Sequence, residues 1–116
     1  MEYFKFVSNK DDSDIAIDYI EHLEGNQVGI TKPSHITIQG KVYLHKVSVL
    51  ISKTDPIGFI QNDAELLKVT LHEIGHAIGW FGHSENKDSI MYPTKVNRNA
   101  TITPSDIKYI NRLYGF

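Results

Sequence analysis

The sequence contains no cysteine. Without cysteine, disulfides cannot staple the fold. Long apolar runs are missing too. Met1–Lys10 lacks the stretch of about 7 to 15 apolar residues that a secretory signal needs, and nothing approaches the roughly 18 apolar residues of a membrane-spanning helix. The chain as it stands reads as soluble, without membrane insertion. Positive charge is not in excess: 12 Lys and Arg stand against 14 Asp and Glu, a net charge of −2 scattered along the chain. With no basic stripe, nucleic acid and anionic membrane are excluded as expected partners. No segment is repeated or low in complexity. What remains fits one small domain over residues 1–116, with 41% hydrophobic content and a length in the commonest domain range of about 100 to 150 residues.

The informative stretch runs from His72 to Pro93 and reads HEIGHAIGWFGHSENKDSIMYP. Residues four apart on a helix share a face, so His72 and His76 can aim two imidazoles at one ion. Glu73, about a hundred degrees round the helix, reaches beside that ion rather than onto it, which suits a base acting on a zinc-bound water. A catalytic zinc takes three protein ligands and leaves a fourth position to water. A third ligand is therefore needed, and His83 is the obvious candidate. Gly79 can adopt a positive φ, stopping the helix and turning the chain back under the metal.

This stretch resembles the metzincin clan of zinc metalloproteases and, within it, the matrixin family. His72, Glu73, His76 and Gly79 fall on the family pattern HExxHxxGxxH, and His83 is followed by Ser84 as in many matrixins. Ser89, Ile90, Met91, Tyr92 and Pro93 look like the Met-turn, with Met91 as an apolar floor beneath the histidines and Tyr92 expected to pack rather than touch zinc. One departure stands out. The family places two residues between the glycine and the third histidine, whereas this chain places three, Trp80, Phe81 and Gly82. Two readings compete: Gly82 absorbs the extra residue as a small bulge and His83 reaches the metal, or the histidine is displaced and Glu85, Asp88 or nothing takes its place. The strict register would offer Gly82, which has no side chain to coordinate anything.

The resemblance implies a metzincin-like α+β fold: a twisted mixed sheet of four or five strands, then the zinc-binding active-site helix, a Met-turn and a C-terminal helix. Tyr3, Phe4, Phe6 and Val7 suggest a first strand, and Ile15, Ala16, Ile17 and Tyr19 a second that resembles the matrixin strand beginning Asp-Ile. Val28–Thr31 reads as a short strand stopped by Pro33. Ile36–Ile38, a turn at Gln39 and Gly40, and Val42–Ile51 form a hairpin. Asn62 as N-cap and Glu65 three residues on predict a helix from Asp63 to Ile78, with Leu67, Leu71, Ile74 and Ile78 packing on the sheet. Thr103, Pro104 and Asp106 start a last helix that carries Ile107, Ile110, Leu113 and Tyr114 inward and stops at Gly115. Matrixins normally begin with another strand and a long helix across the sheet, for which this chain has no room. Either the sequence as given begins late or this is a minimal member; a truly absent helix would expose one sheet face, which predicts a dimer or poor solubility.

In function, the resemblance implies a zinc-dependent endopeptidase with one catalytic zinc on His72, His76 and His83 and Glu73 as general base. An extended peptide would lie antiparallel to an edge strand, for which Val28–Thr31 is the candidate, while Pro93–Lys95 and Lys68 would border the specificity pocket on the far side. The family's second, structural zinc finds only a loose echo in His22, Glu24, His35 and His45, whose spacing does not match. The cysteine-switch propeptide that silences many matrixins is not part of this chain. Matrixins are mostly exported, so a secreted or extracellular setting is expected although no leader is visible. The rival reading is a zinc- and peptide-binding module that does not cut, such as an inhibitor or degenerate protease. Intact Glu73 argues against it.

Overall fold

The structure, a computed structural model, describes residues 5–93 and 100–115. A short 3-10 turn at Lys10–Asp12 is followed by strands β1 (Ile15–Ile20), β2 (Gly29–Ile38) and β3 (Lys41–Ser52), then helices α1 (Asp63–Ala77) and α2 (Pro104–Leu113). The sheet order is β1-β3-β2, with β1 parallel and β2 antiparallel to β3. This is the expected mixed α+β arrangement. Among the described residues, however, the sheet has three strands rather than four or five. Val28–Thr31 and Ile36–Ile38, read as separate strands, are two ends of the single strand β2. Tyr3 and Phe4 of the expected first strand lie outside the described residues, and the backbone at Phe6 and Val7 is irregular, with Phe6 fully exposed.

Pro33 does not stop β2 because β2 is an edge strand. Val28 accepts a hydrogen bond from the Ser52 amide, so Val28, Ile30, Lys32 and Ser34 turn their backbone groups toward β3. Gly29, Thr31 and Pro33 turn theirs outward, by the alternation of antiparallel ladders. A proline facing outward on an edge forfeits no ladder bond. The hairpin between β2 and β3 closes through Gln39 and Gly40, whose φ values of 52° and 78° give the left-handed two-residue turn that matches strand twist.

Two apolar clusters sit on either side of α1. On one side Val47, Val49 and Ile51 of β3 pack with Val69 and Ala77 of α1, flanked by Ile15, Ile17, Val28 and Leu66. On the other, Trp80, Ile90 and Met91 pack with Leu71 and Ile110. The helix strip facing the sheet thus contains Leu66, Val69, Glu73 and Ala77. The expected strip was Leu67, Leu71, Ile74 and Ile78, but Leu67 is 58% exposed and Leu71 belongs to the second cluster. Gly29 lets β2 come close to the sheet-facing strip: a Cβ there would lie 3.0 Å from Val69 Cγ1. The opposite sheet face mixes half-buried Ala16, Ile20, Ile30 and Leu50 with exposed Asp18, Lys32 and Ser48.

Both helices begin as their sequences dictate. Asn62 accepts from the Glu65 amide at 2.8 Å while the Glu65 carboxylate accepts from the Asn62 amide at 3.2 Å, and Thr103 and Asp106 repeat this capping box on α2. The inward face of α2 differs from expectation. Ile107, Leu113 and Tyr114 are exposed, whereas Asp106 is buried and Ile110 alone of the expected four joins a cluster.

Candidate metal centre and catalytic cleft

The first two histidines owe their positions to α1, and the third owes its position to how α1 ends. Gly79 adopts φ 119°. The Gly79 amide donates to the His76 carbonyl at 3.1 Å and the Trp80 amide to the Gly75 carbonyl at 3.0 Å, the paired bonds of a Schellman stop. The chain turns back, and the Ser84 amide donates to the Met91 carbonyl at 2.9 Å. That bond ties the residue after His83 to the turn beneath α1.

As a result His72, His76 and His83 converge, each offering a ring nitrogen within 4.8 Å of the others. Ring centroids lie 4.7, 5.3 and 5.0 Å apart for the pairs 72/76, 72/83 and 76/83. The extra residue before His83 is accommodated without help from Gly82, whose φ is not positive and at which a Cβ would meet nothing within 4 Å. Phe81, Gly82 and His83 simply form an exposed stretch. Neither Glu85 nor Asp88 joins the group.

The hydrogen bonds behind the rings decide which nitrogens face inward. His72 Nδ1 lies 2.7 Å from the Ile90 carbonyl and His76 Nδ1 2.7 Å from the Trp80 carbonyl. A carbonyl only accepts, so each Nδ1 carries the proton and each Nε2 presents a lone pair. Those two Nε2 atoms are 3.1 Å apart. Two lone pairs so placed repel unless a cation lies between them, and nitrogens bound at about 2.0–2.1 Å to one tetrahedral zinc have closely similar separation. The residues fit zinc. Burial lowers the pKa of His72 below its ordinary 6.5, with neighbouring His76 and His83 adding to the effect against the opposing Ile90 bond. The neutral ring that results is the form a metal requires.

Glu73 is 6% exposed and sits on the β2 side of the histidines. Its Oε1 accepts a 2.7 Å hydrogen bond from Thr31 Oγ1, which also lies 3.1 Å from the Glu73 carbonyl. The three histidines and Glu73 line one cleft of about 1030 Å³, bordered by Val28–Thr31 on one side and by Lys68, Tyr92 and Pro93 on the other. Thr94 and Lys95, expected beside Pro93, lie outside the described residues.

Beneath the histidines Met91 is 2% exposed and packs against Gly75, where a Cβ would come 2.3 Å from Met91 Sδ. The turn that carries it is held from behind. Ser89 Oγ donates to the Asp106 carboxylate at 2.7–2.8 Å and accepts from the Met91 amide at 3.0 Å. As sequence, Asp106 reads only as a helix start; its burial follows from the packing of α2 against the turn. Thr31, too, reads in the sequence as part of an edge strand, with nothing local to mark it as a partner of Glu73.

A family profile described as Matrixin matches residues 2–115. The chain belongs to the matrixin family. Matrixins are zinc metalloendopeptidases, and the convergent histidines agree with that chemistry. Over 52 residues this matrixin is 44% identical to matrilysin of Felis catus, covering 42% of this chain and 20% of that protein. It is 45% identical over 53 residues to Metalloendoproteinase 2-MMP of Arabidopsis thaliana, covering 44% and 14% respectively. With Metalloendoproteinase 1-MMP of the same plant the match is longer, 32% over 78 residues, covering 66% and 21%. The matched stretches thus span about a fifth or less of these relatives. No solved structure matches the chain.

The remaining histidines lie elsewhere. His22 Nδ1 is 2.6 Å from Thr54 Oγ1, and His35 and His45 are exposed around the irregular register between Ser34 and His35. Among the described residues the one group with metal-holding geometry is His72, His76 and His83. No helix there is long and apolar enough to cross a membrane.

Proposed function

We propose that this matrixin is a zinc-dependent endopeptidase in which His72, His76 and His83 hold the ion and Glu73 is the general base. The observation that carries the reading is the pair of Nε2 atoms 3.1 Å apart, with both Nδ1 protons committed to carbonyls and Glu73 in the same cleft. His72, His76 and His83 would hold the zinc, which when bound would supply Lewis acidity toward a carbonyl and lower the pKa of a water. Glu73 takes the proton as water attacks that carbonyl and delivers it to the leaving amine. Met91 and Gly75 keep the histidine-bearing face of α1 seated on the turn.

The substrate we infer is an extended peptide. Gly29 and Thr31 direct unpaired backbone groups along the cleft side of β2, and such an edge can hold any sequence in register through main-chain bonds. Residues 1–116 act as one catalytic domain in this reading, in the extracellular setting usual for the family.

Removal and return of metal tests it. Chelation is expected to abolish hydrolysis of a quenched peptide, and one equivalent of zinc per chain to restore it. His83→Ala should lower zinc affinity at least about tenfold, since a ligand is lost outright. Unchanged affinity in that variant would remove His83 from the set.

A further inference from the structure

We propose that Thr31 is a positioning residue for Glu73, fixing which carboxylate oxygen serves as base; this rests on the endopeptidase reading. A carboxylate has two equivalent oxygens and a side chain with three rotatable bonds, so a buried glutamate needs a partner to hold one orientation. Thr31 provides it. Its hydroxyl has a single proton, and the 2.7 Å contact to Oε1 is shorter than the 3.1 Å contact to the Glu73 carbonyl. Oε1 therefore already accepts one hydrogen bond, which favours Oε2 as the oxygen that takes the proton of the attacking water.

The same strand limits where Glu73 can go. A Cβ at Gly29 would come 2.7 Å from Glu73 Cγ and 3.0 Å from Cδ. The side chain is thus packed against β2 at its stem and tethered there at its head. Thr31 also turns its own backbone groups outward along the free edge, as the pairing of Val28 with Ser52 requires. One residue then sets both the base and the strand against which a peptide would register.

The test compares Thr31→Val, Thr31→Ala and Thr31→Ser with wild type, measuring kcat, KM, zinc per chain and the urea midpoint. Valine keeps the shape and removes the donor; serine keeps the donor. Expected is a fall in kcat of about 10- to 100-fold in Thr31→Val, because a misplaced catalytic group costs on that order. KM should change by less than about twofold and zinc should stay at one per chain, since neither depends on the hydroxyl. Thr31→Ser should recover most of kcat. Should valine prevent folding, the contrast between alanine and serine decides in its place. Wild-type kcat in both donor-less variants, or a loss not recovered by serine, overturns the proposal. If zinc-loaded wild type itself cleaves no peptide, the endopeptidase reading fails first.

Discussion

At the residue scale, two glycines near the third histidine have opposite standing. Gly79 is required by its backbone: at φ 119° an L side chain is strained, and the Schellman stop that turns the chain toward His83 depends on it. Gly82 is not required, having neither a positive φ nor a crowded Cβ position. Gly79→Ala should therefore cost about 1–2 kcal/mol and weaken zinc binding, whereas Gly82→Ala should stay within about 0.5 kcal/mol of wild type. Urea denaturation and zinc titration of the two variants check both. Equal tolerance at the two positions would contradict this account of how the long spacing is absorbed. The relative placement of His72, Glu73 and His76 is legible in the sequence because helical periodicity fixes it. His83 as third ligand follows from the family pattern rather than from a period, because a loop of free length follows none.

At the element scale, the Met-turn is held between α1 and α2, with the His72 ring bonded to the Ile90 carbonyl among the contacts that hold it. Gly75 allows Met91 to approach α1, and Ser89 joins the turn to buried Asp106 at the start of α2. Gly75→Ala would place a methyl 2.3 Å from Met91 Sδ, an overpacking that costs about 1–3 kcal/mol. Shortening Met91 to alanine in the same chain should recover part of that loss, so the two changes will not add. Ser89→Ala leaves the Asp106 carboxylate short of a donor and should destabilise by about 1–3 kcal/mol. Denaturant midpoints of the three single variants and the Gly75/Met91 double variant measure these effects. Caps were readable from Asn62, Glu65, Thr103 and Asp106 because their chemistry is local. The packing face of α1 was not. Apolar spacing favours Leu67, Leu71, Ile74 and Ile78, whereas the sheet side is taken by Leu66, Val69, Glu73 and Ala77, with Gly29 of β2 against Val69 and Glu73. Likewise Pro33 looked like a strand terminus until the sheet order made β2 an edge.

At the scale of the whole molecule, α1 divides the chain into a sheet-side cluster and a Met-turn cluster, and the histidines and Glu73 open into the cleft along that division. Each part of the chemistry therefore has a separate support. The sheet side holds Glu73 through Thr31, while the carbonyls of Ile90 and Trp80 on the other side orient His72 and His76. The architecture of strands, helix, turn and helix was legible in advance because each segment carries its own period and punctuation. The number of strands was not, since a ten-residue strand interrupted by proline reads as two. The central claim is that a zinc held by three histidines works with Glu73 as base. Its most direct test is peptide hydrolysis by wild type and Glu73→Ala at matched, measured zinc content. The account predicts one zinc per chain in both proteins, with turnover lost by at least about 100-fold in the variant, the usual effect of removing a general base. Full zinc loading with no turnover in wild type, or undiminished turnover in Glu73→Ala, would contradict it.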